Sequence, residues 1–476
     1  VRAASIVVAL AIVWCADVAH AQPRGLAASQ LARGPLEDQP PYIDLLTFGV
    51  GDKLFEKFGH AAICVRYHDP KHLPICFNFG VTDFNAGPIM IWSFVRGEQD
   101  FWVEASTYGE MFRFYKWEDR DIWLQTLPVT GEQARALERQ LWASLEGAHR
   151  TYQYDHFFNN CTTRLRDMID GATGGKLAIG GDERYPLTFR QLGYRGLAEL
   201  PPLQVFADFA MGRQLEDYPS VWQAMFHPEV FRREIERRLG VAPRLVYKRQ
   251  GAAFAVTGST GRLTMLAIAL LFALPLLAAR WKGLVPRLAI GAAYTGLLVF
   301  TLFEVMPSLW AGLGAGSLVV PFVGVAGFAM ALHPARGETA AVIWAMLHLA
   351  FWGFVVYGLV VLSSIEGVRW NEAVLVVMPF DVVLPFLGAP KRRRYAQGRV
   401  ALVVLGSLLC AIGVFRQPLW IPILAVFVPM AIIAFDLPNS LLRLARKVEA
   451  VPKPPEAPVV AEVAVSAGGE AARDPS

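Results

Sequence analysis

At Leu263 the sequence changes character, and that break constrains the fold more than any other feature. Beyond it lie seven apolar segments, 263–279, 287–305, 309–332, 340–362, 372–389, 398–415 and 418–436. Most approach or exceed the roughly 20 apolar residues that a bilayer-spanning helix needs; the fifth and sixth are shorter. The pattern predicts an all-α polytopic membrane domain over 263–437 with about seven helices. The charges between segments predict its orientation. One set of loops carries Arg280, Lys282 and Arg287, then Arg336, then Lys391 to Arg394, and the tail adds Arg443, Arg446 and Lys447. The other set holds only Arg369 and Arg416. Basic loops stay inside, so everything before Leu263 is expected outside, and residues 438–476, rich in Pro and Ala, are expected to form a disordered cytoplasmic tail.

The start of the chain points the same way. Arg2, the apolar run Ile6 to Val13 and Ala19-His20-Ala21 read as a secretory signal over residues 1–21. Residues 22–41 read as a flexible lead-in and 241–262 as a linker. The expected location is therefore the bacterial inner membrane, multi-pass, with a periplasmic domain. A net charge of +4 on 476 residues gives no footprint for nucleic acid.

Between these flanks, residues 42–240 read as one α+β domain of ordinary size. Tyr42 to Val50 is strand-like. Phe58 to Arg66 and Leu73 to Val81 flank the turn cluster Tyr67 to His72 and read as a β-hairpin. If the hairpin is symmetric about Pro70, Cys64 faces Cys76, either as a disulfide or as two small buried side chains. Period-two alternation then puts His60, Ala62 and Cys64 on one face with Cys76 and Asn78, so Asn78 lies diagonally next to His60. Further strand-like stretches are Ile89 to Val95, Phe101 to Ser106, Phe112 to Trp117 and Ile122 to Leu127. A helix opens at Thr130, and residues 186–240 read as helical.

The chemistry concentrates at Tyr154-Asp155-His156-Phe157-Phe158-Asn159-Asn160-Cys161-Thr162-Thr163-Arg164. Leu165, Met168 and Ile169 form a helical stripe behind Cys161, and Asn159 or Asn160 is a good N-cap for that helix. Cys161 would sit in the first turn, where free N–H groups and the helix dipole favour a thiolate. A thiolate nucleophile needs a base and a group to orient the base. His60, after Gly59 at a strand start, is the best base; Asn78 is the natural orienter, with Asp83 the alternative. No Cys-x-x-Cys pair is present, so neither a thiolate metal site nor a cofactor is expected.

The order His first, Cys at a later helix start resembles the permuted papain-like (NlpC-like) fold of the lecithin–retinol acyltransferase class. Phe58-Gly59-His60-Ala61, Asn78-Phe79-Gly80 with Asp83-Phe84, and the Tyr154 to Arg164 stretch with Arg166-Asp167 resemble the periplasmic domain of the Lnb-type lipoprotein N-acyltransferases. Gly212, Asp217 and Met225-Phe226-x-Pro228 resemble that family's following segment, and Trp370-Asn371 with Met378-Pro379 its membrane part more loosely. The resemblance implies acyl transfer in two steps: Cys161 takes an acyl chain from a phospholipid as a thioester, and the N-terminal amine of a bacterial lipoprotein receives it. His60 serves as base. Helix-start amides, with Tyr154 as a side-chain donor, would stabilise the oxyanion. The implied partners are phospholipid, lipoprotein and inner-membrane lipids.

Two other readings fit parts of the pattern. One is a cell-envelope cysteine peptidase, amidase or lipid hydrolase on the same fold; the other is a non-catalytic membrane scaffold with a structural Cys161. Glu304 and Asp381, acids within apolar segments, are functional candidates by position alone.

Overall fold

The computed structural model describes residues 39–52, 54–83, 99–198, 211–254 and 380–419, with isolated positions near 93, 204–208, 338–349, 371–372 and 431–435. The signal and lead-in expected over 1–38, apolar segments 263–279, 287–305 and 309–332 with Glu304, and the tail 438–476 lie outside the described residues.

Seven strands form one antiparallel sheet in the order β6-β4-β3-β2-β1-β5-β7. In chain order they are β1 (Tyr42–Phe48), β2 (His60–Arg66), β3 (Ile75–Val81), β4 (Asp100–Thr107), β5 (Ile122–Thr126), β6 (Thr151–Gln153) and β7 (Arg244–Tyr247). Alternation along the central strands feeds two cores. Ile43, Leu45, Ile63, Val65, Phe77 and Phe79 point to one face; there they meet Leu137 and Leu141 of α2 (Gly131–Ala143), Leu165 and Ile169 of α3 (Cys161–Ala172), and Phe231 and Ile235 further on. Leu46, Phe48, Ala62, Cys64 and Cys76 point to the other, against Met111 and Tyr115 of α1 (Tyr108–Trp117). Burial on both faces explains why these strands are apolar throughout rather than strictly alternating.

The β2–β3 register pairs Cys64 with Cys76, and the two are joined by a disulfide. Phe112 to Trp117, strand-like by composition, is instead the end of α1. Thr107 and Glu110 form a capping box that nucleates it, and Met111 and Tyr115, four apart, bury one stripe. Within 186–240 the described helices are α4 (Phe189–Leu197), a single α-helical turn at Val221–Ala224 and α5 (Pro228–Leu239). Strand β7 falls in the stretch read as a linker. Arg249 and Gln250 then tie the following residues to Asp119 and Asp121.

The C-terminal part departs most from expectation: among the described residues no helix is long and apolar enough to cross a membrane. The polytopic all-α domain, the multi-pass inner-membrane placement and the transmembrane assignment are corrected accordingly. The longest described helix, α6 (Ala389–Ala411), opens with Lys391, Arg392, Arg393 and Arg394 and carries Arg399 inside it. Arg392 and Arg399 are buried, and Arg399 pairs with Asp381 at 3.2 Å. The apolar remainder, 400–411, is too short to span, and the chain turns at Ile412 and Gly413. The fifth segment contains a 3₁₀ turn, Phe380–Phe386, whose Asp381 is a structural ion-pair partner that also accepts from the Tyr395 hydroxyl.

Candidate active site

Asn160 caps α3 in an extended conformation. Its Oδ1 accepts from the Thr162 and Thr163 amides at 2.9 Å each, and Thr163 Oγ1 accepts from the Asn160 amide. The capping amide is itself fixed: Nδ2 donates to the His156 and Phe226 carbonyls. The cap is thus Asn160, while Asn159 holds the Arg164 guanidinium through Oδ1. Cys161 takes the first helical position, buried and free of any disulfide.

Its thiol meets the start of β2. Burial pushes the Cys161 thiol up. The nearby His60, hydrogen bonds from the His60 ring and the Thr162 hydroxyl, and the Ala61 amide outweigh that and hold it below the ordinary thiol range. His60 Nε2 lies 2.5 Å from Asn78 Oδ1. An amide oxygen only accepts, so Nε2 carries the proton and Nδ1 keeps its lone pair for the thiol proton. The ring is held in a stack, with Phe48 and Tyr115 each 6.1 Å away centre to centre.

The structure therefore brings Cys161, His60 and Asn78 together with Asn160 in support. Asp83 sits exposed in the loop after β3. Tyr154 stacks on Phe101 at 4.2 Å and borders the site with its ring edge. Tyr115 and Tyr152, near the thiol, were not anticipated, and Gly80 entered only as part of the Asn78-Phe79-Gly80 motif. Gly80 has a φ of +87°, and the position its Cβ would take lies 3.4 Å from Cys161 Cβ. Any L side chain at that φ is strained, and its Cβ would stand in contact with Cys161. Tyr152 had a legible signal, because it alternates with Tyr154 at period two and so shares its face.

Beside the cap lies an aromatic cluster. Phe157 packs on Phe189 and Phe226, and His156 edges onto Phe58 and Phe157. Asp155 accepts from the Phe157 and Phe158 amides, a tight turn that leaves Phe158 on the surface. Burial pulls the His156 and His227 imidazoles down to about 4 each. Among the described residues no group of three or more His, Cys, Asp or Glu could hold a metal ion.

The arrangement can deprotonate a thiol, orient the resulting imidazolium and present a nucleophile at a helix start. No curated protein and no solved structure matches the chain. The family comparison does place its described centre: a Lnb N-terminal periplasmic domain is present over residues 39–194, the stretch that holds His60, Asn78 and Cys161.

Proposed function

We propose that this domain is a cysteine acyltransferase that N-acylates lipoproteins through a Cys161 thioester. The observation that carries the reading is the Cys161–His60–Asn78 line at a capped helix start, with the thiol pulled toward its ionised form. His60 Nδ1 takes the thiol proton. The thiolate sulfur forms a bond to an ester carbonyl carbon of a phospholipid, and the carbonyl electron pair moves to oxygen. Collapse breaks the acyl C–O bond, His60 returns its proton to the departing alkoxide, and lysophospholipid leaves. The lipoprotein amine then attacks the thioester, His60 takes one amine proton, and the thiolate departs. One nucleophile serving both halves implies ping-pong kinetics. The family match over 39–194 supports lipoprotein acylation as the role.

The test is direct. Purified protein incubated with acyl-labelled phospholipid is expected to carry a hydroxylamine-sensitive label on Cys161, transferred to an added peptide bearing a lipid-modified N-terminal cysteine. An unlabelled wild type, or a hydroxylamine-sensitive label surviving in Cys161→Ser, would sink the mechanism. Release of free fatty acid in place of transfer would make the protein a hydrolase.

A further inference from the structure

The tetrahedral intermediate in that reaction places a negative charge on the former carbonyl oxygen, which needs a donor already aimed at it. The helix start is nearly spent as a source. Asn160 Oδ1 takes the Thr162 and Thr163 amides, and the Arg164 amide goes to the Asn160 carbonyl, leaving only the Cys161 amide from the first turn.

Tyr152 offers the missing group. It lies on β6 opposite Phe101 of β4 and is 8% exposed; its oxygen faces the Gly80 amide, but its hydroxyl proton has no acceptor. A buried hydroxyl proton left so is costly, so its retention calls for an explanation. The ring is pinned from the catalytic helix, with the Arg164 guanidinium 4.4 Å above it. The hydroxyl lies 3.8 Å from the point where a Gly80 Cβ would stand, and Cys161 Cβ lies 3.4 Å from the same point. A hollow kept open by the absent side chain therefore has the nucleophile on one wall and an unused donor on another. Tyr154 contributes only its ring edge there, with Cε2 at 3.7 Å.

We propose that Tyr152 is a catalytic residue whose hydroxyl donates to the oxyanion in the Gly80 hollow, the role expected of Tyr154. This inference rests on the thioester reading above. When sulfur adds to the carbonyl carbon, the oxygen lone pair gained is met by the Tyr152 O–H. The proton stays on Tyr152, and the hydrogen bond is released when the intermediate collapses.

The experiment compares wild type with Tyr152→Phe in two reactions of the same thiol. p-Nitrophenyl octanoate acylates Cys161 through an oxyanion, followed as the p-nitrophenol burst. Iodoacetamide alkylates it by displacement at carbon, with no oxyanion. Acylation by Tyr152→Phe is expected to fall about 100-fold, with alkylation within twofold of wild type. Melting temperature should be little changed, because the hydroxyl proton has no acceptor to lose and only the contact with the Gly80 amide is released. Acylation within threefold of wild type, or alkylation falling in parallel with acylation, would overturn the assignment. A wild type that alkylates but gives no acyl-Cys161 would overturn the thioester reading itself, so the two failures are told apart.

Discussion

His60 lowers the thiol's proton affinity directly, whereas Asn78 touches only the His60 ring, and substitution separates the two. In His60→Ala the burial that pushes the thiol up remains, while the charge and hydrogen bond that oppose it disappear. The pH midpoint of Cys161 alkylation by iodoacetamide is therefore expected below the ordinary thiol range in wild type and shifted upward in His60→Ala. Acylation should fall about 10²–10⁴-fold, the usual contribution of a positioned base. Asn78→Ala keeps the imidazole and loses one orienting hydrogen bond. A net worth of about 1 kcal/mol predicts a loss of roughly fivefold, with the alkylation midpoint moved less than in His60→Ala. An Asn78→Ala profile displaced as far as that of His60→Ala would contradict the division of roles. These residues were legible because a strand's period and a turn's symmetry place them from sequence alone. Tyr152 was only half legible: alternation with Tyr154 places the two on one face, but nothing in the sequence says which of them ends at the hollow.

The helix that presents Cys161 is anchored through its cap, and the cap leans on the segment bearing two buried histidines. Asn160 Nδ2 holds the carbonyls of His156 and Phe226, and His227 begins α5 by accepting from the Glu229 amide. Both imidazoles titrate near 4 in the folded protein because burial penalises their charged forms. In the unfolded chain a histidine binds its proton near 6.5, so the unfolded state gains protons first as pH falls. The stabilisation is complete above about 6.5 and is lost progressively toward 4. Melting temperature is expected to drop across that window, and His156→Phe to reduce the slope by about half. An unchanged slope in the variant would remove His156 from the account. At this scale the Cys161 helix was readable from its stripe and cap. Helix α1 was not: its aromatic run mimics a strand, and the deciding signal was the Thr107–Glu110 capping box just before it.

Across the whole molecule, residues from the C-terminal part meet the segment around 208–217. Gln417 donates to the Asp208 carbonyl and exchanges hydrogen bonds with Glu372; Arg213 pairs with Glu372, and Arg416 with Asp217. The Asp217 carbonyl in turn accepts from Phe189 at the start of α4, which packs in the aromatic cluster beside the cap. Gln417→Ala leaves the buried Glu372 amide and the Asp208 carbonyl short of partners and is expected to cost about 1–3 kcal/mol. Faster proteolytic cleavage between 208 and 217 than in wild type would report it; unchanged protection would show the contact to be idle. This region was the least legible part of the sequence. Hydropathy counts apolar residues in a window but is blind to pairing, so Asp381 with Arg399 inside apolar stretches could not be foreseen as a buried ion pair. The Cys64–Cys76 bond, twelve residues apart in sequence, lies between the turn after β2 and the His60–Asn78 contact. A crosslink in that position isolates the base and its orienter from whatever happens at the turn. Residues 68–73 can lengthen, shorten or change composition, and the geometry beyond the bond is insulated from the change.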